Sequence, residues 1–83
     1  MRAVLDTTAY VVTDPGGKPC HISLQIEAAY GWIDNEASRT DDGDNCIEYV
    51  DTKLVRLLGF KHSTVTYRDT RDGVITIWTV WEL

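Results

Sequence analysis

The chain has 83 residues, 43% of them apolar and 25% charged, with a formal net charge of −5. That balance is the composition of an ordinary globular protein and excludes a disordered, collagen-like or coiled-coil chain. Area scaling for this size gives roughly 5,000 Å² exposed when folded against about 13,600 Å² unfolded, so roughly 60% is buried and one small core in a single domain, residues 1–83, is expected.

The longest uncharged apolar run is about ten residues, too short to span a bilayer. The N-terminus MRAVLDTTAY places Asp6 where a secretory h-region needs continuous apolar residues, and a cytoplasmic, untargeted protein without membrane partners is expected. Two cysteines, Cys20 and Cys46, are fewer than a small secreted disulfide scaffold carries, so reduced thiols are expected.

In chain order, Thr8 to Thr13 is rich in β-branched and aromatic residues and runs into Asp14-Pro15-Gly16-Gly17, a strong turn. A returning strand over about Lys18 to Ile22 closes a hairpin, and Pro19 confines it to an edge or to the strand's first position. From Ser23, an expected N-cap, Leu24, Ile26, Ala28, Ala29, Tyr30, Trp32 and Ile33 spread over a broad apolar helical face that reaches about Ala37. Gly31 weakens that helix by about 1 kcal/mol relative to Ala.

Asn45 and Glu48 have capping-box spacing, and Ile47, Val50, Leu54, Leu57 and Leu58 form an apolar stripe at helical period. With Lys53 and Arg56 toward its end and Gly59 beyond it, the segment reads as a second helix. His62 to Arg68 reads as a strand, Asp69 to Gly73 as a turn, and Val74 to Glu82 as a long strand. The expected fold is α+β: a four-stranded, mainly antiparallel sheet with two helices on one face, in the order ββααββ. In the last strand both faces are apolar, Val74, Thr76, Trp78 and Val80 on one and Ile75, Ile77, Thr79 and Trp81 on the other. It is therefore either central and covered on both sides, or it presents a hydrophobic strip bearing a Trp to a partner.

The largest departure from an average domain is Asp34 to Asn45, where Asp34, Glu36, Asp41, Asp42 and Asp44 face the single cation Arg39. The excess of acid lies wholly before Cys46; from there to Leu83 acids and bases number five each. Phosphate repels such a surface, so nucleic acid is excluded as a direct ligand.

Cys20, His21, Cys46 and His62 are the right residue types for zinc or for a Cys–His nucleophile, but zinc ligands come in close pairs, and adjacent Cys20 and His21 point to opposite sides of a strand. The run Asp41-Asp42-Gly43-Asp44-Asn45 lacks the Gly and Glu positions of an EF-hand loop. The residues thus point to no enzyme, no metal and no cofactor.

What remains is a binding module whose carboxylates compete with phosphate for Arg and Lys on a protein partner with a basic surface. Inhibitors carried by phages against host defence, anti-CRISPR proteins among them, illustrate this mechanism; no motif assigns the chain to that group. The expected partner-binding residues are Asp34, Glu36, Asp41, Asp42, Asp44 and Trp78. The alternative is an assembly domain that uses the Trp78 strand or an unpaired sheet edge to build a homodimer or dock a larger chain.

Overall fold

A computed structural model describes residues 8–39, 46–57 and 60–83, with the side chains of Leu57 and Phe60 left out. The elements are β1 (Tyr10–Thr13), β2 (Pro19–Ser23), α1 (Ile26–Arg39), β3 (Ile47–Leu57), β4 (Phe60–Asp69) and β5 (Ile75–Glu82). The five strands form one antiparallel sheet in the order β2-β1-β5-β4-β3.

This corrects the expected ββααββ arrangement: among the described residues there are five strands, not four, and one helix, not two. The segment read as a second helix is β3, the longest strand. Its register slips between Tyr49 and Asp51. A bulge inserts one residue, so the apolar positions before and after it no longer alternate strictly, and the remaining spacing of Ile47, Val50 and Leu54 imitates a helical stripe. Tertiary pairing outweighs that local pattern. As a strand, β3 pairs with β4 from Ile47 on Asp69 to Leu57 on Phe60. Tyr49 meets Tyr67 edge to face at 6.0 Å, and Arg68 binds Glu48 through Nε at 2.7 Å.

The first hairpin follows the sequence closely. The Asp14 Oδ1 accepts the backbone N–H groups of Gly16 and Lys18 at 3.0 and 2.9 Å, and Gly17 takes φ 87°, which glycine adopts at little cost. Pro19 opens the edge strand β2. The helix starts later than expected. Ser23 is the last residue of β2, and its Oγ accepts the Gln25 N–H, while the Gln25 carbonyl accepts the Ala29 N–H. The N-cap position is therefore Gln25, not Ser23.

On α1, Ala29, Ile33 and Ala37 recur every four residues and are buried, whereas Leu24 and Ala28 are exposed. The two alanines let the helix lie close to the sheet, and Ile33 fills the space between them. Beneath it lie Val12, Val80 and Val65, with Tyr67 also buried in the same cluster. One flank of the helix reaches β4, where the Tyr30 hydroxyl donates to Ser63 Oγ at 2.8 Å and Tyr67 donates to Asp34 at 3.3 Å. The other flank reaches β2, where Trp32 stacks on His21.

One helix cannot cover five strands. α1 packs on β1, β2 and β5, which leaves the same face of β3 open, with Tyr49 and Leu54 exposed. The opposite face of the sheet carries Ile22, Ile75, Ile77 and Trp81, also exposed. The last strand is therefore central, yet only one of its faces is covered.

Gly31 is on the solvent side of α1, and a Cβ there would meet nothing within 4 Å. Replacing it by Ala is expected to raise unfolding free energy by about 1 kcal/mol in a urea titration, with no change of fold.

Candidate functional site

Two turns and the end of the helix converge at one end of the sheet. β1 leaves the sheet there into the Asp14 turn, β4 and β5 are joined there by 69–74, and α1 ends there at Arg39. Between them lies a cleft of about 420 Å³ whose apolar wall is Trp78, Ala37, Ile47 and Val74, and whose rim carries Asp14, Asp69 and Asp72.

Each of these carboxylates is placed by its own turn. Asp14 holds the β1–β2 turn as described above. Asp72 accepts the Val74 N–H at 2.9 Å, and Gly73 beside it takes φ 75°. Asp69 accepts the Arg71 backbone N–H and binds its guanidinium through both oxygens, at 3.1 and 2.8 Å. That hydrogen bonding keeps the Asp69 carboxyl below its ordinary range, so it stays ionised. The bonds made by Asp14 and Asp72 use Oδ1 alone. The C-terminal end of α1, with its partial negative charge, faces the same region.

The residues expected from the sequence distribute unevenly around this cleft. Trp78 lies on the helix-facing side of β5, half-buried, edge to face with Trp32 at 6.1 Å between ring centres. It forms the wall of the cleft rather than an exposed strip; on the opposite face Trp81 is the exposed ring, with Nε1 donating to Thr13 Oγ1. Asp34 is exposed on the β4 flank of the helix and accepts from Tyr67, whose hydroxyl is pushed up to about 12 by burial and by the neighbouring carboxylate. Glu36 is on the other flank, 2.6 Å from Arg39. Asp34 and Glu36 thus do not share a face. Asp41, Asp42 and Asp44 lie outside the described residues. The segment that bears them runs from Arg39 to Cys46, and its near neighbours Ala37 and Ile47 both line the cleft.

Sequence reasoning missed Asp14, Asp69 and Asp72 as a group. Each stands beside a Gly or Pro turn signal and reads locally as turn chemistry; only the β1–β5 and β4–β5 pairings bring the two turns to one end.

The candidate thiols and imidazoles do not assemble. Neither Cys20 nor Cys46 forms a disulfide. The Cys20 thiol is held above its ordinary range, first by burial and then by Asp14 and Glu36, which disfavours a reactive thiolate; its Sγ donates to the Val12 carbonyl. Cys46 precedes β3, and its carbonyl accepts from Thr70. His21 stacks on Trp32 and His62 on Trp81, on different sides of the sheet. Nδ1 of His62 is buried and finds no hydrogen-bond partner among the described residues. Among the described residues no cluster of three or more His, Cys, Asp or Glu is placed to hold a metal ion. None of their helices is long and apolar enough to cross a membrane. Comparison with protein-family models, with curated proteins and with solved structures finds no match.

Proposed function

We propose that the protein is a non-enzymatic binding module of the cytoplasm whose acidic end docks on a basic surface of a partner protein, as an inhibitor or regulator of a nucleic-acid-binding protein would. The observation that carries this reading is the cleft of Trp78, Ala37 and Val74 rimmed by Asp14, Asp69 and Asp72. An apolar wall with carboxylates at its mouth matches an Arg or Lys side chain, whose methylene stem covers apolar surface while its head meets the carboxylates. A Trp face adds attraction for a guanidinium. Asp41, Asp42 and Asp44, which follow α1 in the sequence, add negative charge to the chain, and such charge raises the association rate with a cationic partner. Phage-borne anti-defence proteins of the anti-CRISPR kind are one setting in which such a decoy acts.

The test is capture of partners from lysate on the immobilised protein, with elution along a salt gradient and identification by mass spectrometry. A nucleic-acid-binding protein released at moderate salt is expected. It should be lost when Asp14, Asp41, Asp42, Asp44 and Asp72 are changed to Asn, which keeps the Oδ1 acceptors of both turns. Equal capture by this variant sinks the proposal.

A further inference from the structure

β3 is an edge strand among the described residues, pairing on one side with β4 alone. Its outer edge around Asp51, Thr52 and Lys53 offers backbone donors and acceptors to another strand. Its helix-side face, left uncovered by α1, exposes Tyr49 and Leu54, the latter at 67%. On the other face stand Asp51 and Lys53, and among the described residues no ion pair engages either of them.

The sequence of this edge is self-complementary. Two identical strands related by a two-fold axis through an antiparallel ladder must place one residue opposite its own copy. With Asp51 on the axis, carboxylate meets carboxylate; with Lys53, ammonium meets ammonium. With Thr52 on the axis, Asp51 stands opposite Lys53 of the second copy twice over, and, because Val50 is the residue inserted at the bulge, Tyr49 stands opposite Leu54. Of the two-fold registers within Ile47–Leu57, this one sets opposite charges against each other without placing like charges on the axis. Faces agree as well. Asp51 and Lys53 pair with Thr66 and Thr64 on one side of the sheet, while Thr52 and Leu54 pair with Val65 and Ser63 on the other, where Thr52 shares a hydrogen bond with the Tyr49 hydroxyl.

We propose that β3 is a homodimerisation edge, on which a second copy adds antiparallel with Thr52 at the two-fold axis to make a continuous ten-stranded sheet. Main-chain hydrogen bonds supply the affinity, and the two Asp51–Lys53 pairs supply the register. Asp51, Thr52 and Lys53 lie outside the acidic cleft, which β3 touches at Ile47, so either assignment can fail without the other.

Sedimentation equilibrium of the full chain, over concentrations up to about 500 µM, decides the matter. The wild type is expected to pass from monomer to dimer, and D51K and K53D are each expected to weaken dimerisation about tenfold or more by placing like charges opposite. An equimolar mixture of the two variants should dimerise again, since every Lys then faces an Asp. A wild type that stays monomeric, single variants that dimerise as the wild type does, or a mixture that fails to recover overturns the proposal. Should a charge variant fail to fold by far-UV circular dichroism, T52C in a C20S/C46S background provides a second reading. Oxidation is expected to link position 52 to position 52, and its persistence as a monomer under oxidant overturns the proposal.

Discussion

Replacing Ile33 by Ala is expected to remove about 3–4 kcal/mol of stability, the largest loss from any single truncation in this chain. Ile33 is completely buried, and it is the one long side chain in the row Ala29, Ile33, Ala37 that faces the sheet. Its alanine neighbours cannot expand into the vacated space, and Val12, Val80 and Val65 beneath it are β-branched side chains with little rotamer freedom. The cavity would stay largely open, so the cost includes lost contacts as well as lost transfer energy. A domain of this length holds roughly 4–12 kcal/mol in total. The midpoint of urea unfolding should therefore fall steeply, with the variant partly unfolded in water if the wild type lies at the low end. A loss below about 1 kcal/mol would mean that the helix is not seated on the sheet as described.

Trp32 is expected to be the second most costly truncation, at about 2–3 kcal/mol for replacement by Ala. It stacks on His21 at 4.6 Å and 7°, and it meets Trp78 edge to face. It thereby ties the edge strand β2 and the central strand β5 to the helix, and it backs the ring that forms the cleft wall. Trp81 gives the contrast. It is 38% exposed on the open face and touches His62 and Thr13, so its replacement by Ala should cost less than about 1 kcal/mol. Urea unfolding of the two variants, followed by circular dichroism, separates these expectations. Equal losses would mean that the open face contributes as much as the covered one. If the acidic cleft binds a partner, the Trp32 variant should also lose affinity through the displaced Trp78 ring, while the Trp81 variant should keep it.

Where local chemistry decides conformation, the residues alone were sufficient. The Asp14-Pro15-Gly16-Gly17 and Asp69-to-Gly73 turns, Pro19 at the start of an edge strand, the helix over Ala29 to Ala37, and the strands ending in Thr13 and Glu82 are all readable from side chains acting on their own backbone. β3 was not readable in this way, because a bulge at Tyr49 to Asp51 erased the alternation that marks a strand and left a false helical period. What made it a strand was a partner close in sequence but visible only when paired: the ladder to β4, with Tyr49 on Tyr67 and Glu48 on Arg68.

The same division holds for the candidate site. The acidic excess before Cys46 is a property of the sequence. Which carboxylates stand together is not, because strand order brings the Asp14 turn beside the 69–74 turn, and helical geometry sets Asp34 and Glu36 on opposite flanks. Trp78 and Trp81 were equivalent as a pattern of alternating residues. Only the seat of α1 on one face of β5 separated them, since a single helix buries one side of a central strand and leaves the other to solvent.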